Sequence, residues 1–167
     1  MEKKHFKESK LTVNPVTEIH KGVTTMSIEE ENKALVRRIF EILDATKGDV
    51  DRLYNASWDE IFNKDFIIHY PTQDRNLEQF IEYNAVLLAS FPDSSFTVDD
   101  IIAEDDKVAA RYTMRGTHEK EFMGIPPTRK FITVKGISID RFVDGKDIET
   151  WDFPDTYGAM QQLGAPK

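Results

Sequence analysis

An α+β fold, with helices packed on one face of a curved sheet, is what this sequence predicts. Three observations carry the prediction. Apolar residues recur at spacings of three and four in the first half of the chain, four long strand-like stretches fill the second half, and Asp144-Gly145 joins the last two of these as a hairpin signal.

The elements follow in order. Residues 1–25 hold five Lys against three Glu, a net of +2 that leaves −10 on the remainder. Beyond Lys10-Leu11-Thr12-Val13, broken by Pro15, they show no sustained period, so an N-terminal extension over 1–25 precedes one domain over 26–167. Ser27 with Glu30 forms a capping box, after which Leu35, Val36, Ile39, Phe40, Ile42 and Leu43 predict an amphipathic helix ending near Gly48. A shorter helix is expected at about 50–62. Phe66-Ile67-Ile68-His69-Tyr70, stopped by Pro71, is a short strand. Leu77, Phe80, Ile81, Leu87, Leu88 and Phe91 mark a third helix closed by Phe91-Pro92-Asp93. Strands are expected at about 95–104, 107–118, 130–143 and 147–153, with a Gly/Pro loop over 120–129. A short helix at about 156–163 ends at Gly164.

Composition sets the outer limits. A chain of 167 residues supports one substantial core. With 30 acidic residues against 22 basic, the net charge of −8 repels phosphate backbones, so nucleic acid is not expected as a partner. The absence of cysteine removes thiolate nucleophiles, disulfides and Cys-ligated metal. No run reaches the ~18 apolar residues of a membrane span, and the first 25 residues lack the apolar stretch of a signal peptide; a cytoplasmic protein is the expectation.

Polar residues that fall on apolar faces are the candidates for chemistry. Along 107–118, Val108, Ala110, Tyr112, Met114, Gly116 and His118 share what reads as the core face. His118 is then either a pocket group kept neutral by burial or a core histidine bonded to a backbone carbonyl. In 147–153, Glu149, Trp151 and Phe153 share a face, and Asp155 falls in phase if the strand runs through Pro154. An inward Asp155 among aromatics would be a proton donor and acceptor near neutral pH; the alternative is that it N-caps the last helix. Asn84 sits within the apolar stripe of the third helix and needs partners from protein or ligand. His69 lies opposite Tyr70, on a face the pattern does not assign. His5 and His20 lie in the extension, and no His-x-x-x-His, Gly-x-Gly-x-x-Gly, Gly-x-Ser-x-Gly or P-loop is present, so no metal and no cofactor is expected.

Taken together, Phe91-Pro92-Asp93, Arg111 through Gly116-Thr117-His118, Phe122-Met123-Gly124-Ile125-Pro126-Pro127-Thr128, Arg141-Phe142, Gly145-Lys146, Glu149, Trp151, Asp155 and Gln162-Leu163-Gly164 make residues 27–165 resemble the SnoaL-like polyketide cyclases, or ester cyclases, of the nuclear transport factor 2-like superfamily. The resemblance implies a cone-shaped barrel of curved, mainly antiparallel sheet wrapped on N-terminal helices, a hydrophobic pocket and a homodimer packed through sheets. It implies Asp155 as the acid/base with His118 at the pocket. His69 and Asn84 would line that pocket, together with Tyr112, Met114 and Trp151. The implied activity is cofactor-free acid/base chemistry, such as aldol closure, on a hydrophobic carbonyl-rich small molecule. A non-catalytic binding module, or a related isomerase, dehydratase or epoxide hydrolase, is the alternative. Lys120, Arg129 and Asp147 depart from the family pattern; at Asp147 an aliphatic residue is usual.

Overall fold

The computed structural model describes residues 26–164; the extension expected over 1–25 lies outside the described residues. Helix α1 (Ile28–Thr46) opens where Ser27 accepts a hydrogen bond from the Glu30 amide at 3.3 Å. The reciprocal half of the expected capping box is replaced, since the Glu30 carboxylate pairs with Lys33. Its buried stripe, Asn32, Val36, Ile39, Leu43 and Thr46, keeps the three-and-four spacing that places one face on the sheet.

The single helix expected at 50–62 divides into α2 (Val50–Tyr54) and a 3-10 turn at Trp58–Glu60. Trp58 folds back to donate its indole N–H to the Leu53 carbonyl at 2.8 Å, which fixes the break. Strand β1 (Phe62–Tyr70) therefore starts four residues before the apolar run that announced it. Strand β2 (Gln73–Asn76) was not expected at all, because its four residues are polar; it pairs antiparallel to β1 at the sheet edge. Helix α3 (Leu77–Ser90) begins on a complete capping box made by Asn76 and Gln79. Strands β3 (Ser95–Glu104), β4 (Lys107–Thr117), β5 (Phe131–Val143) and β6 (Lys146–Pro154) and helix α4 (Thr156–Leu163) fall close to the predicted ranges.

The six strands form one sheet in the order β2-β1-β6-β5-β4-β3, antiparallel except where β1 meets β6. The sheet stays open at β2 and β3, and the cone is completed by helices: α1 packs on β3 and β4, α3 on β1, α4 on β5. Phe62, Phe66, Phe80 and Trp58 interlock at the α3 end of the core, where each fully buried ring contributes about 1.5–3 kcal/mol.

On β4 the inward face is the predicted one, carrying Val108, Ala110, Tyr112 and Met114. On β6 the predicted face is inverted. Phe142 pairs with Asp147 but Arg141 pairs with Glu149, so Ile148 is an extra residue in β6. Past this bulge Thr150, Asp152 and Pro154 stand opposite the inward-facing Asp140, Ser138 and Gly136 of β5, and Glu149, Trp151 and Phe153 point away from the helices.

Candidate active site

Between the concave face of the sheet and helices α1, α3 and α4 lies a narrow cavity of about 120 Å³. Its walls are apolar, with Val36, Ile39, Phe40 and Leu43 from α1 and Phe80 and Leu87 from α3. Against them the floor is polar, for β5 brings Ser138 and Asp140 and β6 brings Thr150 and Asp152.

Asp152 keeps part of its surface open to the cavity and accepts a hydrogen bond from the Tyr112 hydroxyl at 2.8 Å. Burial pushes its carboxyl up to about 7; the Tyr112 bond restrains the rise and the charge of Asp140 adds to it. Burial also raises the Tyr112 phenol well above its ordinary range, so it remains a donor at any working pH. Its ring packs on Phe40 with centroids 5.0 Å apart, and the residue directly across on β5 is Gly136. A Cβ at Gly136 would come 2.3 Å from the Tyr112 Cζ, so only glycine leaves room for the phenol.

Beside Asp152, Asp140 accepts from Ser138 Oγ at 2.9 Å and lies 2.9 Å from Thr150 Oγ1. Desolvation raises it to about 6. Thr150 Oγ1 is also 2.9 Å from Asp147, which is fully buried and raised well above the carboxylate range by burial and by Asp140. Tyr70 and Tyr83, half-buried on the same cavity wall and within reach of the Asp152 charge, carry the Arg75 guanidinium over their rings, 4.8 and 4.2 Å from the centroids.

Of the residues singled out from sequence, Tyr112, Met114 and Asn84 line the cavity. Asn84 is buried and donates its amide to the Phe80 carbonyl at 2.9 Å. The other four lie elsewhere. Asp155 does not turn inward: it is exposed and accepts from the Gly158 amide at 2.8 Å, which makes it the N-cap of α4. The Ile148 bulge is the reason, since it gives the inward phase to Asp152. Trp151 is on the outer face for the same reason. His69 shares that face, bonded to Asp74 at 2.8 Å and Glu149 at 3.0 Å and stacked on Trp151. Those carboxylates, Asp74 first, raise its pKa against a smaller effect of burial. His118 is buried behind the wall rather than in it, stacked on Phe91 with Nδ1 accepting from the Thr128 amide at 3.3 Å and lying 3.1 Å from the Thr128 hydroxyl. Desolvation lowers its pKa and keeps it neutral.

Of the acids that do face inward, Asp152 owes its phase to the bulge in β6, which an unbulged strand does not show, whereas Asp140 lies on β5 directly across from the inward Val108 of β4 and its place follows from that pairing; Asp147 stands out in sequence only as a departure from the family. Among the described residues no group of three or more histidine and carboxylate side chains is placed to hold a metal ion.

Comparison with known proteins agrees with the architecture. The aklanonic acid methyl ester cyclase DauD of Streptomyces sp. (strain C5) is 29% identical over 134 residues, covering 79% of this chain and 81% of DauD. AcmA, the cyclase of the same ester in Streptomyces galilaeus, is 39% identical over 61 residues, 36% of this chain and less than half (42%) of AcmA. Among solved structures, a protein from Jannaschia sp. CCS1 described as a SnoaL-like polyketide cyclase superposes with a TM-score of 0.72 at 28% identity, covering 87% of this chain and all of that one. IdmH of Streptomyces antibioticus, described as a polyketide cyclase, superposes with a TM-score of 0.66 at 30% identity over 80% of this chain and 99% of IdmH. A family model for SnoaL-like polyketide cyclases matches residues 34–163, and with a buried acid at the floor of an apolar cavity inside this sheet, the chain belongs to that family.

Proposed function

We propose that this protein closes a ring in a hydrophobic, carbonyl-rich small molecule by cofactor-free acid/base catalysis, with Asp152 as the acid/base. The observation that carries the reading is the Asp152 carboxyl itself, facing an apolar cavity, bonded to Tyr112 and raised to about 7, where a carboxyl can both take and return a proton. Asp152 removes a proton from carbon between two carbonyls; the enolate carbon attacks a second carbonyl carbon of the same molecule. The proton then returns from Asp152 to the new alkoxide. Tyr112 holds the carboxyl in place, while Asn84 and the phenols of Tyr70 and Tyr83 face the substrate's oxygens. Acid/base work of this kind supplies about 10²–10⁴-fold, with preorganisation in the dry cavity supplying the remainder.

Aklanonic acid methyl ester, on which relatives act by name, is the first probe substrate. Asp152→Asn is expected to lower its turnover at least ~10²-fold with affinity within a few fold. Unchanged turnover in that variant would remove Asp152 from the role, and a ligand retained by the native protein without any product would favour a binding module.

The same reading makes the protein a cytoplasmic homodimer paired through the outer sheet face. Ile67, Ile137, Ile139 and Phe153 are 39–54% exposed there, around the Trp151–His69 stack. Ile139→Lys with Phe153→Asp is expected to sediment as monomer; a native protein that is itself monomeric at micromolar concentration would reject the interface.

A further inference from the structure

The Thr150 hydroxyl stands 2.9 Å from Asp140 Oδ1 and 2.9 Å from Asp147 Oδ2. A threonine hydroxyl has one proton to donate, so it can satisfy only one of two ionised carboxylates; the other contact must be a proton donated to the threonine oxygen. The surrounding bonds say which. Asp140 is approached on both oxygens by hydroxyls, Ser138 Oγ at Oδ2 and Thr150 Oγ1 at Oδ1, the environment of an ionised carboxylate. Asp147 accepts a single amide, that of Glu149 at Oδ1 and 3.1 Å, which leaves Oδ2 free to carry a proton toward Thr150. No ion pair reaches either acid among the described residues: Arg141, which bears on Asp147, is held by Glu149 at 2.6 Å.

We propose that Asp140 and Asp147 share one proton through Thr150, with Asp147 as its holder, and that the single negative charge thereby fixed on Asp140 acts beside burial on the neighbouring Asp152 carboxyl of the same cavity floor. Asp140 is then a positioning residue for the acid at the cavity floor, and Asp147, through Thr150, positions Asp140. In function this rests on the reading of Asp152 as the acid/base. The pair makes that reading specific, for a fixed charge on Asp140 adds to burial in bringing the Asp152 carboxyl to about 7, where it can both take and return a proton. The groups that face these acids are Tyr112 from β4, Asp140 and Arg141 from β5, Asp147 from β6, Tyr70 from β1 and Tyr83 from α3, with Arg75 of β2 over the two tyrosines. Helices α1 and α4 present no titratable group to the cavity. Among the described residues Asp140 is therefore the one carboxylate besides Asp152 on the cavity wall.

The test is a carbon-detected titration of aspartate carboxyls by NMR on the full chain, which needs no substrate. In the native protein the Asp147 carboxyl is expected to keep its proton while Asp140 titrates near 6 and Asp152 near 7. Asp147→Asn mimics the protonated acid, since its amide donates to Thr150 and its oxygen accepts from Glu149; the Asp152 midpoint is expected to stay where it is. Asp140→Asn removes the charge, and the Asp152 midpoint is expected to fall by about one pH unit. An Asp147 carboxyl that titrates near 4 in the native protein overturns the shared proton. So does a shifted Asp152 midpoint in Asp147→Asn, and an unshifted one in Asp140→Asn overturns the positioning role. If Asp140→Asn does not fold, the native titration and Asp147→Asn still decide. Turnover that survives Asp152→Asn would defeat the proposed function while leaving these midpoints as they are.

Discussion

Tyr112 reaches Asp152 only because the residue facing it across β4 and β5 is Gly136, where a Cβ would overlap the phenol. Gly136→Ala is expected to displace the Tyr112 ring from Asp152 and to destabilise the fold by about 1–3 kcal/mol, as overpacking of a closed site does. The check is a denaturant midpoint beside turnover of the probe ester; a variant as stable and as active as the native protein would show that the contact has slack. The site was half legible at this scale. Tyr112, Met114 and Asn84 could be read because β4 and α3 keep their periods without interruption, so each inward position follows from its neighbours. Asp152 and Asp155 could not be told apart that way, for three residues of strand place two carboxyls on opposite sides and nothing in Asp152-Phe153-Pro154-Asp155 says which side is inside. The aromatic residues misled further. Trp151 and Phe153 read as core, yet they cover the outer face, while the inward positions of this strand are polar because they form the floor of a cavity.

Helices and long strands were legible as elements because each carries its own punctuation: Ser27 opens α1, the Pro92 turn follows α3, Asp144-Gly145 joins β5 to β6, and Gly164 closes α4 in the left-handed region at φ 96°. Strand β2 was not, since Gln73–Asn76 is held by backbone pairing with β1 and by the capping box that follows, neither of which shows as an apolar pattern. The one-residue bulge at Ile148 likewise depends on the partner strand, because β5 determines where β6 resumes pairing. Helix α4 yields a prediction of its own. Asp155→Ala removes the bond to the Gly158 amide and is expected to cost about 0.5–2 kcal/mol, measured by chemical denaturation, with turnover of the probe ester retained. Loss of turnover without loss of stability would return Asp155 to the chemistry.

For the molecule as a whole, the acids at the cavity floor and those elsewhere act on stability in opposite directions. Asp140 and Asp152 titrate at about 6 and about 7 when folded, against about 3.9 in an unfolded chain. Between about pH 4 and 7 the folded state holds protons that the unfolded state has released, so stability falls as pH rises through that window. His69, raised by Asp74 and Glu149, adds to the decline as pH rises from about 6.5 through its raised folded pKa. On the acid side Asp93, held down by the Thr117 amide, and Glu149, held down by Arg141, contribute stability that is lost as pH falls through their lowered values, and His118, neutral through burial, acts in the same sense below about 6.5. A melting temperature that peaks at mildly acid pH is expected, with Asp152→Asn flattening the decline toward neutrality; a curve that rises monotonically from pH 4 to 8 would contradict the placement of these carboxyls.

Strand β6, which supplies Asp147, Thr150 and Asp152, lies between β1 and β5 in the sheet, yet it follows both of them in the chain. A nascent chain stopped short of Lys146 has made both flanks and has nothing to join them. The β1–β2 hairpin must wait until β6 is made with one edge open, exposed to chaperones and to premature pairing. The cavity floor and the final stitch of the sheet are the same segment, so any molecule that has finished folding has, by that act, also acquired the acid of its floor.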